Sequence, residues 1–244
     1  MLNIELKDKR EEIPIIFLGD VHYGHEDCDV DTFLKYVNWG KENDAYFILM
    51  GDLLELCNPG HMPQTMWNQY LDPKSQRNAM MTILEDIKDR IIGSISGNHE
   101  LRIFNQVGWD VAQEMAEKLE TNYLRDGDYI IIKTRGPTYT IAAFHGSGGS
   151  LTPYHQLKKA LEVYEDMDLL AIGHMHQLFH ETKYKYKIEN GKRIKKEIHL
   201  IRTGGFLEYP DYAMRRFMPL ANVGAPICYL NTKNKKIRIE LGGI

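Results

Sequence analysis

Five short apolar runs punctuate the first 174 residues: IPIIFLGD at 13–20, AYFILMGD at 45–52, RIIGSISGN at 90–98, YTIAAFHG at 139–146 and LLAIGH at 169–174. Each is rich in Ile, Leu or Phe, is shorter than a globular helix and has Gly at or near its end, which reads as a buried strand. Four segments between them, 31–41, 75–90, 110–120 and 154–165, carry apolar residues at helical spacing. Pro73 after Asp72 and Pro153 after Thr152 are the signals expected where two of those helices begin. Strand alternating with helix predicts an α/β fold. After residue 177 the period shortens to two, and 180–206 alternates polar and apolar residues around Asn190-Gly191, a hairpin signal. The stretch 225–241 reads as two more strands with a turn near 232–235, so the carboxy-terminal part is expected to be β-rich.

Every apolar run ends in the same kind of chemistry. The first closes on Asp20-Val21-His22, the second on Gly51-Asp52 and the third on Gly97-Asn98-His99-Glu100; the fourth closes on His145-Gly146 and the fifth on Gly173-His174-Met175-His176. Ligands bind at the carboxyl ends of strands in α/β sheets, so these residues can converge on one site. Asp20 and His22 stand two apart, which in an extended segment points both side chains to one face. Imidazole, carboxylate and amide donors without thiolate suit Mn²⁺, Fe or Zn²⁺. Seven such residues exceed the needs of one ion, and two ions sharing a carboxylate is the economical reading.

The ordered series Asp20-x-His22, Gly51-Asp52, Gly97-Asn98-His99-Glu100, His145 and Gly173-His174-x-His176 resembles the calcineurin-like metallophosphoesterase superfamily over residues 15 to about 207. The resemblance implies an α/β fold of two mixed β-sheets flanked by helices, a four-layer α/β/β/α sandwich. It implies that Asp20, His22 and His176 bind one metal, that Asn98, His145 and His174 bind the second, and that Asp52 bridges them. His99 would then approach the scissile phosphate and the leaving group. The activity implied is hydrolysis of phosphate esters, with phosphodiesters or nucleotides expected, by in-line attack of a hydroxide between two divalent ions, Mn²⁺ foremost. Two ions, two aspartates and a hydroxide leave such a centre at +1, suited to an anionic ester. Glu55 stands where many members carry Asp or Asn, which bears on the substrate. Glu55 and Glu100 are expected to orient imidazoles through their ring N–H groups, and His25 and Arg102 are further candidates near the substrate.

Two alternatives accompany this reading: a DNA or RNA nuclease of the same superfamily, and a noncatalytic protein-interaction scaffold on this fold. Composition narrows the context. With 244 residues, 43% of them hydrophobic, one domain spanning 1–244 is expected. Cys28, Cys57 and Cys228 form no disulfide framework, and no apolar stretch approaches the roughly 18–20 residues of a membrane span. A cytoplasmic protein is expected. A net charge of −4 argues against dominant nonspecific nucleic-acid binding. Yet seven Lys and Arg residues with Tyr184 and Tyr186 crowd 183–196, which reads either as a solvated edge hairpin or as an arm for a nucleic-acid backbone. Residues 58–72, with Met66, Trp67 and Tyr70, read as a lid or as a loop pinned to the core. Residues 145–153 could offer backbone N–H groups to phosphate, and Tyr209, Tyr212, Arg215 and Arg216 could border the site. For His25, His61, His155, His180 and His199 the ordinary reading is a satisfied polar residue, with His25 and His61 near the expected mouth.

Overall fold

The computed structural model describes residues 1–58, 63–148, 152, 154–208 and 222–244, with the backbone alone at 63–65. The five apolar runs form strands β2 (Glu12–Leu18), β3 (Tyr46–Leu49), β4 (Ile91–Ser94), β6 (Thr138–Phe144) and β7 (Leu169–Ile172). Helices α1 (Val30–Glu42), α2 (Pro73–Glu85), α4 (Val111–Lys118) and α5 (Tyr154–Val163) occupy the four segments with helical spacing. Asp72 caps α2 by accepting the N–H groups of Lys74 and Ser75, with Pro73 in the first turn. That helix ends at Glu85 rather than continuing to 90; a separate 3₁₀ turn covers Lys88–Arg90. Pro153 lies outside the described residues.

Three elements depart from the sequence reading. β1 (Leu2–Glu5) and β5 (Asp128–Lys133) pair in parallel at one edge, and α3 (Asn98–Val107) begins directly on a candidate ligand. The remaining strands are β8 (Leu178–Glu189), β9 (Lys192–Thr203), β10 (Pro226–Asn231) and β11 (Ile237–Leu241). Asn190 and Gly191 both have positive φ between β8 and β9, as a two-residue hairpin turn requires.

One sheet has the order β1-β5-β6-β7-β9-β8 and the other β11-β10-β2-β3-β4. Ile13, Ile15 and Phe17 of β2 face the first sheet and pack with Ile48, Ile141, Leu169 and Ile201, while Ile16 and Leu18 face Phe33, Tyr36 and Met115 beneath the helices. On the far side, Ala142, Leu170, Ile172 and Leu200 cover Leu157 of α5. Burial on both faces explains why these strands read as unbroken apolar runs. The result is a four-layer α/β/β/α arrangement of two mixed sheets. In it β2, β3 and β4 run parallel, as do β6, β7 and β9, so their carboxyl ends gather at one rim.

Candidate metal centre

The rim is built by backbone before side chain. Asp20 N–H donates to the Gly51 carbonyl, Val21 and His22 N–H both donate to the Asp52 carbonyl, and Phe206 N–H donates to the Asp20 carbonyl. Asp20, His22, Asp52, His174 and His176 all have positive φ, between 48° and 71°. This corrects the extended segment expected at 20–22: the side chains converge because the chain turns through left-handed conformations, which are costly for residues with a Cβ. Gly97 sits against this turn so tightly that a Cβ there would lie 2.1 Å from Asp52 Oδ1 and 2.2 Å from Asp52 N. The strand ends meet only because that position is glycine.

Two groups of donors result. Asp20, His22 and His176 bring ligand atoms within 4.8 Å of one another, and so do Asp52, His145 and His174. In the first, His22 Nε2 lies 3.1 Å from His176 Nε2, and His176 Nε2 lies 3.5 Å from Asp20 Oδ1. Two metal–nitrogen bonds of about 2.1 Å meeting near a right angle would place their nitrogens about 3 Å apart. In the second, His145 Nε2 lies 3.2 Å from Asp52 Oδ2 and 3.0 Å from Asn98 Oδ1. Asp52 Oδ2 is also 3.9 Å from His22 Nε2, so this carboxylate stands between the two groups.

Ring orientation is fixed from behind. His22 Nδ1 lies 3.0 Å from Glu55 Oε2, His145 Nδ1 2.8 Å from the Met50 carbonyl, and His99 Nδ1 2.5 Å from the Glu55 carbonyl. A proton on each Nδ1 satisfies those acceptors and leaves Nε2 with its lone pair for the site. Asn98 supplies a test of fit. Rotated with its NH₂ inward, the amide donates to Asp52 Oδ2 at 3.0 Å, His145 Nε2 at 3.0 Å and His174 Nδ1 at 2.7 Å, and its oxygen accepts from Arg102 Nη2 at 2.9 Å. With the oxygen inward, four acceptors surround one point, an arrangement that only a cation or a proton satisfies. The donor set therefore fits a divalent ion at that point.

Electrostatics agree. Asp20, Asp52, Glu55 and Glu100 are all buried within this rim. Burial opposes charge on His145, yet Asp52 and Asp20 outweigh it and raise the imidazole to about 10. His22 is likewise raised against its burial by the Glu55 carboxylate. Burial would raise the Asp52 carboxyl, but the surrounding imidazoles hold it well below the usual range. The buried carboxylates thus outweigh the cost of burying positive charge at this rim, which suits it to a cation. His99 behaves oppositely: burial lowers it to about 4, so its ring is neutral.

Glu55 touches His22, and His22, Glu55 and His99 form a third cluster of possible donors. Glu100 does not hold an imidazole. Its carboxylate accepts the backbone N–H groups of Asp52, Leu53, Leu54 and Gly97, all within 3.2 Å, because the first turn of α3 points it back into the Gly51-Asp52 turn. Asp52 Oδ1 in return accepts the His99 N–H at the start of the same helix. His25 is buried, its Nδ1 accepting the Asp27 N–H. Arg202, missed in the sequence, is fully buried on β9 and donates to the Gly173 carbonyl at 2.9 Å, behind the His174–His176 turn. Burial lowers it to about 10. Its signal was a single cation inside the apolar run LIRTGG. Trp67 is 89% exposed and so does not pin its loop to the core. His61, Tyr209, Tyr212, Arg215, Arg216 and residues 149–151 lie outside the described residues.

A family model described as calcineurin-like phosphoesterase matches residues 13–178. No curated protein matches the chain. Among solved structures the chain is similar to Vps29 complexed with Zn²⁺ from Entamoeba histolytica, at 16% identity over 93% of this chain and 97% of that one, with a TM-score of 0.42. It is also similar to a metallophosphoesterase from Sphaerobacter thermophilus, at 14% identity over 95% and 89% of the two chains with a TM-score of 0.43. A predicted phosphoesterase from Streptococcus pneumoniae matches at 11% identity over 94% and 90%, with a TM-score of 0.41.

Proposed function

Because the chain belongs to the calcineurin-like phosphoesterase family, we propose that it is a two-metal phosphoesterase acting on phosphodiesters or nucleotides. The observation that carries the reading is the pair of donor groups, Asp20/His22/His176 and Asp52/His145/His174, with the Asp52 carboxylate between them. In this reading Asp20, His22 and His176 would hold one ion and Asn98, His145 and His174 the other, with Asp52 available to both. Four imidazoles, two carboxylates and an amide oxygen without thiolate make a mixed donor set that suits Mn²⁺, Fe or Zn²⁺, and Mn²⁺ is the ion used in the test below. When bound, two such ions supply Lewis acidity, which makes a water a nucleophile near neutral pH and offsets charge on the phosphate oxygens.

The protein's own groups do the rest. Glu55 and the Met50 carbonyl hold His22 and His145 in the tautomer that presents Nε2. Glu100 keeps the Gly51-Asp52 turn in place through four backbone N–H groups, so Asp52 does not reorganise when charge develops. His99, its Nδ1 on the Glu55 carbonyl and its ring kept neutral by burial, takes a proton from solvent water as the anionic ester brings negative charge to the site. That proton is then available to the leaving oxygen.

Hydrolysis of p-nitrophenyl phosphate, its bis ester, cyclic nucleotides and labelled DNA, with and without Mn²⁺, tests the proposal beside the Asp52→Asn variant. Mn²⁺-dependent turnover of at least one ester, lost in the variant, supports it. Protein that binds two Mn²⁺ and hydrolyses none of the four refutes it in favour of the noncatalytic reading; cleavage confined to DNA selects the nuclease.

A further inference from the structure

The hairpin of β8 and β9 lies apart from the metal centre. β9 runs parallel to β7 with His199 opposite Leu169, so 192–198 extend beyond the start of β7, at the end of the sheet opposite the candidate ligands. At about 3.3 Å per residue, the Asn190-Gly191 turn is roughly 40 Å along the strand from Thr203. Charge is segregated with it. Residues 178–198 hold seven Lys and Arg against three Glu, a net +4, whereas the rest of the chain carries −8.

Alternation gives this charge a shape. Ile198 and Leu200 pack on the α5 side, whereas Ile201 belongs to the layer between the sheets. By pairing register, Tyr184, Tyr186 and Ile188 share the face of Glu197, Lys195 and Arg193, which is the face turned toward the second sheet. Tyr184 is 56% exposed, Tyr186 70% and Ile188 69%. Lys195 Nζ lies 3.7 Å from the Tyr184 ring centroid, and Arg193 Cζ lies 4.9 Å from that of Tyr186. Beside this face is a cavity of about 360 Å³ whose five lysines, among them Lys195 and Lys196 of β9 and Lys235 and Lys236 of the β10–β11 turn, outnumber its acids Asp168, Glu189 and Glu197. Asp168 lies 3.0 Å from Lys235 and 3.6 Å from Lys196, tying the two basic walls together.

An edge strand that needs only protection from aggregation requires lysines, not two tyrosines and an isoleucine exposed on one face. Exposed rings, each with a cation over it, opening onto a basic groove match a chain that carries phosphates and flat bases together. We propose that this face binds single-stranded nucleic acid, with bases stacked on Tyr184 and Tyr186 and phosphates on Arg193, Lys195, Lys235 and Lys236. The site is independent of the metal centre and of the phosphoesterase reading.

Fluorescence anisotropy of labelled 20-nucleotide oligo-dT and oligo-rU with the full chain in EDTA, where metal-dependent cleavage is excluded, tests it. Saturable binding that weakens with salt is expected. Tyr184→Ala and Tyr186→Ala should each weaken it about 5- to 150-fold, while Tyr184→Phe and Tyr186→Phe, which keep the rings, should retain it. Lys195→Gln should weaken binding and reduce the log–log salt slope by about 0.7. Absence of binding, binding indifferent to both alanine changes in variants that melt like the parent, or equal binding of duplex DNA or polyglutamate would overturn the proposal.

Discussion

Gly97→Ala tests how the centre is assembled, without replacing any candidate ligand. Gly97 has φ −94° and ψ −179°, a conformation open to alanine, so the substitution carries no backbone strain of its own. Its effect is steric: the new methyl would lie 2.1 Å from Asp52 Oδ1, 2.2 Å from Asp52 N and 2.6 Å from Asp52 Cγ. Asp52 must retreat by about 1 Å to reach ordinary contact. It is held by its N–H on Glu100 Oε2 at 2.9 Å and by its Oδ1 on the His99 N–H at 2.8 Å. Overpacking costs about 1–3 kcal/mol. Each of those charge-assisted hydrogen bonds contributes about 1.5–3 kcal/mol where it is lost. The reduced freedom of the unfolded chain returns about 0.4–1 kcal/mol. With one of the two bonds lost, a net destabilisation of about 2–5 kcal/mol follows, and in a chain of this size it lowers the melting temperature by about 4–20 °C. Mn²⁺ binding, followed by calorimetry, should weaken with it. Gly108→Ala is the control, because Gly108 has φ +70° and nothing within 4 Å of a Cβ. It should cost about 1–2 kcal/mol through strain alone and leave metal binding intact. A Gly97→Ala protein that melts within about 2 °C of the parent and binds Mn²⁺ equally well would refute the reasoning.

Glu100→Ala removes the acceptor of four buried N–H groups and should cost about 3 kcal/mol or more in urea unfolding, where a loss under 1 kcal/mol would deny it the role of holding the turn. His99→Ala should keep the metal-induced rise in melting temperature and lose about 10²–10⁴-fold of turnover; unchanged turnover would remove His99 from the chemistry. Mn²⁺ at a hundred times its dissociation constant should stabilise the fold by about 2.7 kcal/mol per filled site, a shift that Asp52→Asn should largely abolish in the same thermal scan. Burial pushes the Cys28 thiol up to about 12 and the Cys228 thiol higher still. At pH 8 iodoacetamide should therefore leave both unmodified in the native protein and alkylate them in urea, as peptide mass spectrometry would read.

What the sequence made legible follows from burial. The strands covered on both faces announce themselves as continuous apolar runs, and the two-residue turn at Asn190-Gly191 fixes the hairpin register. β1 is only four residues of alternating burial, too short for a pattern, and β5 is three isoleucines bracketed by charge. α3 escaped notice for a different reason. Its buried residues are His99, Glu100 and Ile103, so the inward face of its first turn is polar, and those residues read as strand-end ligands rather than as the start of a helix. The site's residue types could be read because they stand at strand ends. Their geometry could not, since alternation along an extended chain was the wrong rule for residues with positive φ. Arg202 and Gly97 act through a carbonyl and through empty space, neither of which a pattern of side-chain types records.

The left-handed residues also bear on how the centre works. Five candidate ligands with positive φ, at roughly 1 kcal/mol or more each, are a sizeable fraction of the stability of a typical domain. Such strain persists only where other contacts over-determine it. Here they are the backbone bonds from Asp20, Val21 and His22 into the Gly51-Asp52 turn, the His174 N–H on the Asp20 carboxylate, and the Glu100 carboxylate across the start of α3. None of these contacts uses the ring atoms that face the site. The cost of placing the ligands is therefore met by folding, and little reorganisation remains for the binding of ions. A centre built this way should lose affinity when its backbone supports are cut, even with all seven candidate ligands intact, which is why glycine and glutamate behind the site are sharper probes than the histidines in it.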